Sequence, residues 1–203
     1  MSFIHRFEPG TSDATLLVLH GTGGNEHDLI GLARDLSPTA KLLSPRGKVL
    51  ENGAPRFFRR LAMDVFDEAD LKAQAADLAR FVQEAAEHYG FDAGRVYALG
   101  YSNGANIAAA LMLLHPEVLA GGVLLRPVLP LEPPALPNLR GKAAFLAAGS
   151  RDPWAPGERV EALASWLERA GAEIELHLSP AGHELHPEEL EAARAWLARH
   201  LNG

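Results

Sequence analysis

Short, nearly unbroken apolar runs alternate with helical patterns along most of this chain, and that alternation leaves few folds open to it. Thr15–Leu19, Ala40–Leu43, Arg95–Leu99, Gly122–Leu125 and Ala143–Ala148 are such runs, bounded by Gly, Pro or Ser. Without internal polar alternation they suit parallel strands covered on both faces. Glu173–Leu178 does alternate, and so suits a strand nearer the sheet edge. Between the runs, Leu71, Ala75, Leu78, Val82, Ala85 and Tyr89 recur at helical spacing, in a helix that opens after Asp67 and closes at Gly90. Other helices carry Leu29, Leu32 and Leu36, with Asn25 and Asp28 as expected caps; Ile107, Leu111 and Leu114; Val160, Leu163, Leu167 and Ala170; and, from Pro187, Leu190, Ala193 and Leu197. The pattern predicts an α/β fold with a mostly parallel sheet and right-handed crossovers. No internal repeat or Gly/Ser-rich linker divides the chain, so residues 1–203 are expected to form a single domain. The proline-rich stretch 126–138 reads as a surface crossover loop.

Composition narrows the chemistry. The chain has no cysteine, which excludes a thiol nucleophile, a redox pair, an iron–sulfur cluster and a Cys-ligated zinc. Its net charge of −7 argues against a nucleic-acid binder and for a small-molecule ligand. The opening MSFIHRFEPG lacks a basic region followed by an apolar one, and no apolar run approaches the about 18 residues of a membrane span. The expectation is a soluble, cytoplasmic protein without membrane partners.

Chemistry concentrates in four loops. Gly100-Tyr101-Ser102-Asn103-Gly104 follows one apolar run and opens a helix. G-x-S-x-G between strand and helix makes a sharp turn that projects the serine hydroxyl, with glycines where neighbouring chain passes closely. The competing reading, that Ser102 only caps a helix, is weakened by that context. A serine hydroxyl needs a base, and the base needs an orienting acid. Asp152 and His183 each follow a later strand, at the sheet edge where parallel sheets place their sites, and the order Ser, Asp, His is that of α/β-hydrolases. His20-Gly21-Thr22-Gly23-Gly24 follows the first apolar run; the Thr22 N–H, with that of Asn103, is expected to bind an oxyanion. No Gly-Lys-Ser/Thr or G-x-G-x-x-G supports a phosphate or dinucleotide loop instead.

These elements resemble the α/β-hydrolase superfamily, in its small carboxylesterase and phospholipase branch with acyl-protein thioesterases and bacterial esterases. Ser44-Pro45-Arg46-Gly47-Lys48, Arg56-Phe57-Phe58 and Leu125-Arg126-Pro127 are similar to bacterial hydroquinone-responsive carboxylesterases. The resemblance implies an α/β-hydrolase fold without a cap domain, a triad of Ser102, Asp152 and His183, oxyanion donors Thr22 and Asn103, hydrolysis of small to medium carboxylic esters or thioesters, no cofactor, and a homodimer as the plausible assembly. Where related esterases often carry Gln or Met after the serine, this chain has Asn103, whose side chain is expected to reshape the pocket. Acyl transfer, a dienelactone-type hydrolase and a non-catalytic binding protein are the competing functions; the second usually uses the cysteine this chain lacks.

Residues 46–60 hold five cationic side chains against the single Glu51. Asp64, Asp67, Glu68 and Asp70, just downstream, are expected to neutralise them, while Phe57 or Phe58 lines the acyl pocket and Trp154 walls it beside His183. Trp166 and Trp196 are expected to cover the sheet. His183, Glu184 and His186 do not make a metal site on this reading, because Pro187 starts a helix and separates the two histidines from one helical face.

Overall fold

A computed structural model describes residues 1–201. In chain order the elements are β1 (His5–Glu8), β2 (Thr15–Leu19), α1 (Ile30–Leu36), β3 (Lys41–Pro45), β4 (Val49–Glu51), β5 (Ala54–Arg56), β6 (Arg60–Ala62), β7 (Val65–Phe66), α2 (Glu68–Tyr89), β8 (Val96–Tyr101), α3 (Asn103–Leu114), β9 (Gly121–Leu125), β10 (Ala143–Gly149), α4 (Gly157–Arg169), β11 (Glu173–Ser179) and α5 (Pro187–Leu201). Seven strands form the main sheet in the order β1-β3-β2-β8-β9-β10-β11. Only β1 pairs antiparallel, against β3, and β11 is the opposite edge. Among the described residues this is an α/β-hydrolase fold without a cap domain.

The unbroken apolar runs are explained by their two-sided burial. In β2, Leu17 and Leu19 face a core shared with α2, α3 and α4, while Leu16 and Val18 face a second core under α1 and α5. Trp196 is buried in the second core and Trp166 packs at the margin of the first. α2 is capped as its sequence predicts: the Asp67 carboxylate accepts from the Asp70 N–H, and Gly90 closes the helix in the left-handed region at φ 69°. α1 is not: it starts at Ile30 with no side-chain cap. The Asn25 carboxamide instead accepts from the His27 N–H, and Asp28 accepts from the Asn25 N–H, so both are spent on the preceding turn.

Besides the antiparallel edge strand β1, two features were not expected. The segment between β3 and α2 folds into two hairpins, β4–β5 and β6–β7, separate from the main sheet. The first turns at Asn52-Gly53, both at positive φ (51° and 83°), the geometry that Asn-Gly favours. The stretch 126–138 is also more than a surface loop, because Arg126, Val128 and Leu131 are buried.

Register sets the site. Leu19 pairs with Gly100, Tyr101 with Leu125, and Gly149 with Ser179, so the carboxyl ends of β2, β8, β9, β10 and β11 lie side by side.

Candidate active site

Ser102 sits between β8 and α3 at φ 53°, a left-handed conformation rare for a side-chain-bearing residue. Its N–H donates to the Leu125 carbonyl (2.8 Å), which ties the turn to β9. The turn closes because of glycine: a Cβ on Gly104 would stand 2.0 Å from the Leu19 carbonyl oxygen, and one on Gly100 would stand 2.6 Å from that of Gly104. Ser102 occupies the cap position of α3 but makes no side-chain capping bond. Its Oγ lies 2.9 Å from His183 Nε2 instead, and His183 Nδ1 lies 2.7 Å from Asp152 Oδ2.

The bonding around Asp152 fixes the proton positions. Its Oδ1 accepts from the N–H groups of Trp154 (2.8 Å) and Ala155 (3.2 Å), leaving Oδ2 to accept from His183 Nδ1–H. His183 Nε2 is then the acceptor and the Ser102 hydroxyl the donor. The arrangement can withdraw a proton from Ser102 while the Asp152 carboxylate stabilises the resulting imidazolium.

Arg126, named in the sequence only as part of a motif, organises the loop that carries His183. It takes a left-handed conformation (φ 58°) at the end of β9. From there its guanidinium donates to the carbonyls of Gly182 (2.9 Å) and Glu184, on either side of His183, and of Ala147. It pairs with both carboxylate oxygens of Glu189 at 2.8 Å and lies 3.9 Å from Asp152. Burial alone would raise the Glu189 carboxyl, but hydrogen bonds from Arg126, Ser179 and the His186 N–H outweigh it and hold the group below the ordinary range. Tyr101 adds a second tether, donating its hydroxyl to the His183 carbonyl at 2.9 Å.

The hairpins hold the loop of Thr22. The Gly23 N–H donates to the Pro55 carbonyl (2.9 Å), and Arg56 Nη1 donates to Thr22 Oγ1 (2.6 Å). Buried His20 bridges the two segments: Nδ1 donates to the Gly21 carbonyl (2.6 Å) and Nε2 accepts from the Gly47 N–H (3.0 Å). Those partners require the neutral ring, and burial accordingly pulls the His20 pKa down. Asn103 is the first residue of α3, where a backbone N–H has no carbonyl one turn back. Thr22 and Asn103 both line the cleft over Ser102. The Asn103 carboxamide oxygen accepts from the Phe57 N–H at 2.7 Å, tying elbow to hairpin.

The cleft has a volume of about 300 Å³, and its apolar walls are Met63, Phe66, Tyr101 and Trp154. Phe57 and Phe58 are not among them. Both are buried in the core beneath the hairpins, Phe57 against the His20 ring and Phe58 against Phe66. The hairpin backbone turns these two rings inward and presents Met63 and Phe66 to the cleft. The expected neutralisation of residues 46–60 also differs. Only the Arg59 guanidinium uses the downstream acids, bonding Asp67, while the Arg59 main-chain N–H donates to Asp70. Arg46 pairs with Glu26, Lys48 with Asp77, and Arg60 with Glu51.

A model of the phospholipase/carboxylesterase family matches residues 8–201 of this chain. MhqD of Bacillus subtilis (strain 168) is 49% identical over 192 residues, spanning 95% of this chain and 96% of that protein. The crystal structure of a Bacillus cereus carboxylesterase superposes with a TM-score of 0.94 at 46% identity, covering 96% of this chain and 93% of that one. The structure of YahD with malic acid superposes with a TM-score of 0.91 at 31% identity, covering 96% and 98%.

Proposed function

The chain belongs to the phospholipase/carboxylesterase family of α/β-hydrolases, and from that premise we propose that Ser102, His183 and Asp152 carry out its esterase reaction, with the Thr22 and Asn103 amides as oxyanion donors. The observation that carries this reading is the continuous chain of hydrogen bonds from Ser102 through His183 to Asp152, at 2.9 and 2.7 Å. As Ser102 Oγ bonds to the acyl carbon, His183 Nε2 takes the hydroxyl proton and the carbonyl oxygen becomes an oxyanion facing the two amides. The carbon–oxygen bond to the alcohol then breaks, and His183 returns its proton to the departing oxygen. Water attacks the acyl-enzyme by the same route, releasing the carboxylic acid and restoring the Ser102 hydroxyl. Asp152 stays ionised throughout.

The absence of a cap domain and the modest cleft volume support esters, or thioesters, of small to medium acyl groups. A fluorophosphonate probe tests the nucleophile: mass spectrometry is expected to find the adduct on Ser102. Ser102→Ala is expected to lower kcat on p-nitrophenyl esters by roughly 10⁴- to 10⁶-fold. An adduct elsewhere, or a fully active Ser102→Ala enzyme, would overturn the assignment. Across p-nitrophenyl acetate to decanoate, kcat/KM is expected to peak at the shorter members.

A further inference from the structure

We propose that the cleft selects esters that carry a second, negatively charged group remote from the scissile bond, with Arg159 as its principal partner. This inference rests on the esterase reading and names the substrate class for the same site. The chain is acidic, with a net charge of −7, yet three of the side chains lining the cleft are arginines, Arg56, Arg60 and Arg159, and none is Asp or Glu.

The carboxylates within reach do not balance them. Arg60 takes Glu51 in a close bidentate pair, with its Nε 2.9 Å and 3.1 Å from the two oxygens. Arg56 lies 3.6 Å from the same Glu51, so two guanidinium groups share one carboxylate. Arg159 has no ion pair within 4 Å among the described residues, and the Asp64 carboxylate acts on it only at longer range. Its polar contact is a 3.3 Å bond to the Asp64 main-chain carbonyl, and its guanidinium lies 5.2 Å from the Phe66 ring centroid. Asp152, the acid of the catalytic chain, is fully engaged by His183 and by the Trp154 and Ala155 amides.

Two further observations point toward an anion. The Asn103 Nδ2 group, on a cleft-lining residue only 2% exposed, has no hydrogen-bond partner among the described residues, which leaves a buried donor unsatisfied there. Burial also depresses the pKa of Arg56 and Arg159, so their charge is held against a desolvation cost that an incoming anion would relieve. Met63, Phe66 and Trp154 line the same cleft and lower the local polarity around an incoming charge. Arg56 is committed to Thr22 and Arg60 to Glu51; Arg159 has donors to spare.

Matched ester pairs test the idea. One pair places the charge on the acyl half, 4-nitrophenyl hydrogen glutarate against its methyl ester. The other places it on the alcohol half, 4-acetoxybenzoate against methyl 4-acetoxybenzoate. The native enzyme is expected to favour the anionic member of one pair in kcat/KM by roughly 10- to 100-fold, the range of one charge-assisted hydrogen bond. The preference is expected to shrink as sodium chloride rises and to collapse in Arg159→Gln. Equal or poorer turnover of the anionic member in both pairs would overturn the inference while leaving the esterase reading intact; so would a preference unchanged in Arg159→Gln. Should that variant fail to fold, the salt series on the native enzyme decides: a preference insensitive to salt also overturns it. Failure to hydrolyse any of the four esters, with no probe adduct at Ser102, would overturn both readings.

Discussion

Two arginine clusters flank the same sheet edge and do opposite things. Around Arg126, charge is balanced: the guanidinium and the Glu189 carboxylate are both fully buried and paired through two bonds, and three main-chain carbonyls use the remaining donors. Around the hairpins, Arg56 and Arg60 share Glu51, and Arg159 faces the cleft without an ion pair among the described residues. A saturated arginine fixes geometry, here the loop of His183, and has nothing left to offer a ligand. An undersupplied one keeps an appetite for an anion. Residue type alone does not separate these roles; the count of nearby acceptors does.

The sharpest way to break the comparison is Arg126→Met. If Arg126 is a saturated structural centre, its loss strands a buried carboxylate and is expected to cost about 3–5 kcal/mol in urea unfolding. Pairing it with Glu189→Leu is expected to recover most of that loss, since the stranded charge goes with it. A single-variant loss under about 1 kcal/mol would place Arg126 with the hairpin group instead. Arg56→Met tests the other side. It removes the bond to Thr22, and kcat on a neutral ester is expected to fall about 10- to 100-fold through a misplaced oxyanion loop. Unchanged kcat would mean that the loop holds without it.

The smallest effect is in acid. Arg46 beside it, and then its other hydrogen bonds against the opposing pull of burial, bring the Glu26 carboxyl from the ordinary 4.5 to about 2. A folded value below the unfolded one means that stability is full above about pH 4.5 and drains away as pH falls toward 2. Urea midpoints are therefore expected to fall less steeply across that window in Glu26→Gln than in the native chain. Parallel curves would assign the acid limb to other carboxylates.

Much of this was written locally. The strands read as unbroken apolar runs because the sheet is covered on both faces, and Ser102, Asp152 and His183 announce themselves by standing just past those strands. The hairpins were missed although Asn52-Gly53 is a strong turn signal, because β4 to β7 are only two or three residues long and show little periodicity. That omission also misplaced Phe57 and Phe58: without the hairpin, nothing tells which side of an extended segment faces inward. Arg126 was legible as a motif and not as a function, since its partner Glu189 lies 63 residues away and no local pattern reports a contact of that range. The charge balance of residues 46–60 failed for the same reason, with Glu26 and Asp77 reaching in from distant elements.

The stitching of the Thr22 loop to the hairpins has a consequence in time. The amide protons of Gly23 and Gly47 are shielded only while Pro55 and His20 accept them. Their exchange with deuterated water therefore clocks how often this half of the proposed oxyanion site comes apart. The Ser102 amide, bonded to β9, clocks the other half. A gap between the two rates would mean that the enzyme assembles its anion site from a rigid part and a breathing one.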